Sequence, residues 1–398
     1  MNKRLIFWKG AYATLDLFAE ELRQIYEGWG YETFVMRADG IEASMGKLIQ
    51  FASGGVDAVI TFNNLGFYLE MAEGKNLWDE LQIPCVNILM DHPFRYHRFL
   101  QQAPKGGIVL CPDRNHVKYI RRFYPNIQKV EYLPHGGIPQ TSPLIRNYGG
   151  LKPISQRTTE VLYAGSLSRY AAEGLVPDLG NIKDYDGFDL SQTVLAKLLR
   201  EPHRTTEEVI EEYFTGHGLR YTDEELREEI ARLRFLDVYA VSFFREQAVR
   251  LLVENGIPVT VYGQGWEQCE WADNRNLTCG GVVPPQEIVR KMSDTRLVLN
   301  TMTWFKDGTH DRVFNGMLAG AGVVSDTSVY MEEKFTDGEE IAFFTLSEIG
   351  RLPALVRGLL EEPQRLERMA AAGCEKAQRE HTWEERAKRI VETAASVC

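Results

Sequence analysis

The stretch "FKDGTHDRVFNGMLAGAGVVSD", residues 305–326, decides how the chain folds. An apolar run, "RLVLNTM" (296–302), precedes it, and its own last residues, "GVVSD" (322–326), form a second. Between them lies a polar loop holding Gly308, Thr309, His310, Asp311 and Arg312, then a short helical pattern closed by Gly320. Strand, loop, helix, strand is the repeating unit of a parallel sheet, whose neighbouring strands need a crossover connection. In an open sheet of this kind ligands bind outside the carboxyl ends of the strands. An imidazole and a guanidinium therefore stand where a ligand is expected. A helix starting near Asp311 presents unpaired backbone N–H groups and the positive end of its dipole. Arg312 adds a planar, permanently charged fork matched to phosphate oxygens. His310 can donate a hydrogen bond or, protonated, add charge. The set suits a diphosphate cradled without a metal. The alternative for Arg312 is a surface ion pair with Asp307 or Asp311.

The same alternation extends in both directions. "RLIFW" (4–8), "ETFVMRA" (32–38), "VDAVITF" (56–62), "PCVNILM" (84–90), "GGIVLC" (106–111) and "KVEYLP" (129–134) read as strands, with helical segments such as 14–30 between several of them. The Gly-, Pro- and Ser-rich stretch 135–156 reads as a linker. Beyond it "EVLYAG" (160–165), "PVTVYGQG" (258–265), "NLTCGG" (276–281), "LVLNTM" (297–302) and "GVVSD" restart the pattern. The expectation is an α/β protein with two doubly wound domains facing a cleft, residues 1–148 and 149–380, with 381–398 as a terminal helix. The charged segment 169–236 reads as a helical insertion in the second domain. In it, "TTEEVIEEYF" and "TDEELREEIARLRFL" both open with threonine before acidic residues, an N-cap pattern.

A chain of 398 residues can bury a large core, and its 44% hydrophobic and 25% charged residues are ordinary for a soluble globular protein. A net charge of −11 opposes a chain-wide attraction to nucleic acid or anionic lipid. Six scattered cysteines without a CxxC read as buried thiols in a reducing compartment, and "MNKRLIFWKG" is too short in apolar residues for a signal peptide or span. A cytoplasmic protein is expected, with its oligomeric state open.

Polar residues at the predicted strand ends mark the site. In the first domain they include Lys9, Asn63, Asn64, Asp91, His92 and His135; in the second, Gly165, Ser166, Gly263, Asn300, the 305–312 loop and Asp326. Asp91-His92-Pro93 is the candidate for acceptor-side chemistry, since either residue could take a proton from a hydroxyl. The alternative is Asp91 capping the next turn and His92 packed in the loop. "FRYHRFLQQ" (94–102) and "KYIRRFYPNIQK" (118–129) interleave arginines with aromatics. Such patches can hold a phosphate-bearing acceptor or rest on a membrane surface, and also fit amphipathic helices with solvated basic faces. "DYD" (184–186) lacks the apolar strand a two-carboxylate metal motif needs, and "GQGWEQ" (263–268) lacks the third glycine of a dinucleotide fingerprint. No histidine pair has zinc spacing beyond His92 and His97, so no metal is expected.

The run "THDRVFNGMLAGAGVVSDTSVYMEEKFTDGEEIAFF" (309–344), with "YLPHGG" (132–137), "VLYAGSLS" (161–168) and "HTWEERAKRIV" (381–391), resembles the CgeB-like (spore maturation protein) bacterial glycosyltransferases of GT-B fold. The resemblance implies transfer of a hexosyl or deoxyhexosyl group from a nucleotide diphosphate sugar, without cofactor, to a glycan, protein or small-molecule acceptor. It puts the donor on the second domain. Gly165 and Ser166 would lie near the phosphates, with Gly263 in a neighbouring loop, and Gly281 and Val282 beside the base. Thr309, His310, Arg312 and the helix amides, Val313 among them, would receive the diphosphate beside Asn300. Asn315 stands where many relatives carry a ribose-gripping glutamate, and Asp307 where they carry a glutamate near the donor sugar. A GT-B epimerase or phosphorylase, or an inactive nucleotide-sugar-binding scaffold, are the alternatives.

Overall fold

The computed structural model describes residues 3–71, 74–147, 149–168 and 184–396. The first part of the expected insertion, 169–183, lies outside them. Twelve strands form two six-stranded sheets among the described residues. The first contains β1 (Arg4–Lys9), β2 (Glu32–Arg37), β3 (Ala58–Phe62), β4 (Cys85–Ile88), β5 (Gly107–Cys111) and β6 (Lys129–Tyr132). Its order is β2-β1-β3-β4-β5-β6, parallel throughout. The second contains β7 (Thr159–Ala164), β8 (Val259–Tyr262), β9 (Leu277–Cys279), β10 (Thr295–Asn300), β11 (Gly322–Asp326) and β12 (Ala342–Phe344). Its order, β12-β11-β10-β7-β8-β9, is also all parallel. From the other edge it reads 3-2-1-4-5-6, the arrangement of dinucleotide-binding sheets, whose crevice opens where the order reverses. That switch lies between β7 and β10; in the first sheet it lies between β1 and β3.

Every residue of β3, β4, β5 and β11 is buried, whereas the edge strands β2 and β9 are partly exposed. Sheets covered on both faces need strands buried along their whole length. Alternate residues of β1 serve the two faces: Leu5 and Phe7 join one core, Ile6 and Trp8 the other. The apolar pattern does not reveal β12, three residues at a sheet edge.

Two segments cross between the sheets. The insertion helices Gly187–Arg200, Thr206–Gly216 and Asp223–Arg232 interrupt the second sheet in sequence, but their buried residues, Leu190, Val194, Ile210, Phe214 and Ile230, continue the core of the first. Both predicted N-caps form full capping boxes, Thr205 with Glu208 and Thr222 with Glu225. Asp186 of the discounted "DYD" caps the first of these helices through the Phe188 and Asp189 amides. The helix Trp383–Ala395 packs on the first sheet, where Trp383 meets Phe18 at 5.1 Å between ring centres and Tyr26 donates to the Ala387 carbonyl at 2.8 Å. Gly136 admits it, since a Cβ there would stand 2.8 Å from the Trp383 nitrogen.

Candidate active site

The 305–312 loop lies against the first domain. Buried Asp113 caps the helix Arg114–Phe123 with one oxygen, accepting from Asn115 N at 2.6 Å, and accepts from the Asp307 amide with the other at 2.7 Å. Asp307 itself pairs with Arg114 at 3.2 Å. The rims of the two sheets are thus joined at this loop.

From it the helix Asp311–Leu318 runs back under the second sheet. Arg312 is 5% exposed and turned to the switch point: its Nη1 donates to Asn300 Oδ1 at 2.6 Å, and its guanidinium lies 4.9 Å over the Tyr163 ring. A Cβ on Gly165 would stand 3.0 Å from Arg312 Nη2, so the end of β7 must be glycine-small. Neither Asp307 nor Asp311 lies within ion-pair distance of Arg312 among the described residues, which removes the surface-pair alternative. Gly263 (φ 131°) comes so near that a Cβ would meet the Gly165 carbonyl carbon at 2.6 Å, and Ser166 Oγ accepts from the Gln264 amide. Gly281 has φ 66° and its carbonyl accepts from Gly263 N at 2.9 Å; Val282 next to it is exposed.

A second guanidinium reaches the same place. Arg245, on the helix Phe235–Glu254, donates to the Ser166 carbonyl and lies 5.6 Å from the Trp304 ring and 6.0 Å from Tyr163. Burial, with Arg312 as a neighbouring cation, lowers its pKa, yet a guanidinium stays charged at neutral pH. Neither arginine has a carboxylate within 4 Å among the described residues. Sequence reading missed Arg245, because no local pattern marks a helical arginine aimed at a distant strand end.

The predicted helix amides are differently occupied. His310 is the N-cap: its Nδ1 accepts from the Arg312 amide at 3.2 Å and its carbonyl from the Val313 amide at 3.1 Å. Burial holds this imidazole neutral, pushing its pKa well below the usual range, with Arg312 next in effect. Val313 and Thr309 are fully buried, and Thr309 Oγ1 has no hydrogen-bond partner among the described residues. Asn315, also buried, is used at both ends: Oδ1 accepts from Ile138 N at 2.9 Å and Nδ2 donates to Asp311 at 3.0 Å. It pins the linker onto the 311–318 helix.

Across the cleft, Asp91 is half-buried and accepts from Asn63 Nδ2 at 3.1 Å and from the Tyr96 hydroxyl at 2.8 Å. Asn63 and Asn64 take left-handed conformations (φ 47° and 66°), which asparagine tolerates, and this turns Asn63 toward Asp91. Burial lowers the pKa of His135 to about 3 and raises that of Asp311 to about 6, and Asp91 lies close enough to act on both charges. His135 and His310 face each other at 6.1 Å between ring centres. His92 lies under the insertion: 4% exposed, stacked on Phe94, its Nδ1 accepting from Phe94 N and its Nε2 3.3 Å from Glu207. Burial lowers its pKa to about 3 and raises that of Glu207. It is His92, and not Asp91, that caps the following turn.

Among the described residues no group of His, Cys, Asp or Glu is arranged to hold a metal ion, and no helix is long and apolar enough to cross a membrane. Residues 242–392 match the glycosyl transferase-like family. Solved structures align over almost the whole chain. Sucrose-phosphate synthase from Thermosynechococcus elongatus has a TM-score of 0.55 at 10% identity, covering 99% of this chain and 98% of its own. An alpha-glucosyltransferase in complex with UDP and DNA has 0.54 at 10%, covering 98% and 99%. Anabaena HepE in complex with UDP-glucose has 0.52 at 11%, covering 99% of each chain. The fold is GT-B. At these identities the likeness is one of architecture. A search of curated proteins finds no match.

Proposed function

We propose that this GT-B protein is a glycosyltransferase that moves a sugar from a nucleotide diphosphate sugar to an acceptor hydroxyl. One observation carries the reading: Arg245 and Arg312 converge at the switch point of the second sheet without carboxylate partners among the described residues, and Asp311 beside them also feels the charge of Asp91 on the first domain. The glycosyl transferase-like match over 242–392 contains both arginines and supports it. The finer likeness to CgeB-like enzymes rests on the 296–344 run and is part of this proposal.

The acceptor oxygen bonds to the anomeric carbon, whose bond to the diphosphate oxygen breaks with its electron pair. The hydroxyl proton passes to Asp91, held by Asn63 and Tyr96. Charge grows on the leaving diphosphate, where the two fixed guanidiniums stabilise it, so the positive charge comes from side chains without a metal or cofactor. A uridine diphosphate sugar is the first donor to test, because HepE and the alpha-glucosyltransferase are in complex with UDP-glucose and UDP.

The expected result is that Arg312→Ala and Arg245→Ala each lower kcat/KM about 10²–10³-fold while circular dichroism is unchanged. Arg245 keeps some exposure, and unchanged circular dichroism in its variant separates catalysis from folding. Full turnover in both variants would remove the pair from the mechanism. A non-catalytic nucleotide-sugar scaffold is favoured by one feature, the engagement of both ends of the buried Asn315 amide by Ile138 and Asp311. Tight binding of UDP without donor hydrolysis or transfer would select it.

A further inference from the structure

A second basic site lies on the acceptor side. Residues 94–99 and the end of the insertion line a groove of about 480 Å³ that includes Arg95, Arg98, Arg232 and Arg234, with Glu228 the one carboxylate among its described lining residues. That carboxylate is already engaged by His97 at 2.9 Å and Gln101 at 3.1 Å. Arg95 faces Asp237 at 3.6 Å and Arg232 faces Glu229 at 3.4 Å. Arg234 donates to the Ala231 carbonyl, and neither it nor Arg98 has a carboxylate within 4 Å among the described residues. In a chain of net charge −11, Arg98 and Arg234 thus stand in the groove as guanidiniums without a carboxylate partner among the described residues. The volume is within the range of small-molecule sites.

Two aromatic residues give the groove direction. Phe99 is 48% exposed at its edge and offers an apolar face. Tyr96 lines the wall and donates its hydroxyl to Asp91 at 2.8 Å, so the inner end lies one side chain from the proposed base. Four of its ten lining residues come from the insertion, which is clamped to the first domain by Arg122 with Glu211 and Asp223, at 2.8 and 2.7 Å.

We propose that this groove binds the acceptor, and that the acceptor carries a phosphate group which the arginines hold while its hydroxyl meets Asp91. The acceptor role rests on the glycosyl-transfer reading; the phosphate site is read from the groove itself. Planar guanidinium forks match phosphate oxygens in pairs, which explains arginine at all four positions and lysine at none.

Arginine modification by phenylglyoxal, followed by mass spectrometry on the full chain saturated with UDP, tests both parts. Inorganic phosphate and glucose 6-phosphate are expected to slow modification of Arg98 and Arg234 roughly tenfold at ten times their dissociation constants, whereas glucose has no effect. Equal rates in phosphate and in chloride of the same ionic strength would overturn the site. Protection by vesicles of phosphatidylcholine and phosphatidylglycerol in equal parts, without protection by glucose 6-phosphate, would overturn it in favour of a lipid surface. The double variant Arg98→Gln/Arg234→Gln should lose the glucose 6-phosphate effect at the remaining groove arginines yet keep UDP protection of Arg245 and Arg312. If UDP protects neither of those two, the donor reading fails while the groove result stands by itself.

Discussion

Arg312 and Asp326 show how burial is used at single positions. Arg312 is held by Asn300, whose Nδ2 in turn donates to Ser325, so the fork is oriented before a ligand arrives. Asp326, at the end of β11, accepts from the Met302 amide at 2.8 Å, and burial pushes its pKa up to about 7. The folded carboxyl keeps its proton to about pH 7, whereas the unfolded one loses it near 3.8. Unfolding therefore releases a proton between those values, and this group makes stability decline as pH rises from about 4 to 7 and stay level above. Asp326→Asn keeps the acceptor for Met302 and lacks the charge. It should be more stable than the parent by on the order of 1–3 kcal/mol at pH 8, with the gap closing toward pH 4, in urea unfolding followed across pH. An advantage independent of pH would show that the ionisation of Asp326 carries no cost. The strand-end position of Asp326 was readable in the chain; its isolation from water was not, because burial depends on what packs above the strand.

At the scale of elements, turns and caps followed from local chemistry. Thr205 and Thr222 close their helices as the spacing of threonine and glutamate predicts, because a cap involves residues only three apart. Thr222→Ala should cost about 1 kcal/mol in chemical denaturation. The 305–312 loop is a different case. Gly308 pairs with Asp113 of the first domain, and a Cβ on it would stand 2.2 Å from the Pro112 carbonyl oxygen. Gly308→Ala should therefore shift the loop off the first domain, costing about 1–3 kcal/mol and raising KM for the donor more than Thr222→Ala does. Unchanged stability and KM would mean that the loop adjusts without consequence. The interleaved arginines of 94–102 were legible as a basic–aromatic pattern, but the groove they line needed a partner surface from residues 228–234.

For the molecule as a whole, the insertion carries second-domain sequence into the first domain's core, which should make the two domains unfold together. Its residues belong to the second domain in sequence and to the first in packing, with Phe214 buried in the core that also contains Val59 and Val109. The final helix adds Trp383, fully buried beside Phe18 and Phe62. Phe214→Ala should remove about 3–5 kcal/mol and lower a single calorimetric transition. Two resolved transitions, only one of them moved by the substitution, would show that the domains unfold separately.

The amino-acid sequence by itself determined the alternation of strands and helices, the cationic loop after β10 and the capped insertion helices. Each of these is carried by residues within a few positions of one another, through side-chain periodicity and turn chemistry. Only the tertiary structure decided that Arg245 stands beside Arg312, that His310 closes its own helix, that Asn315 holds the linker and that the insertion covers the first domain. Those outcomes depend on which buried face meets which, a contact between distant segments chosen by packing, and no short-range pattern encodes it.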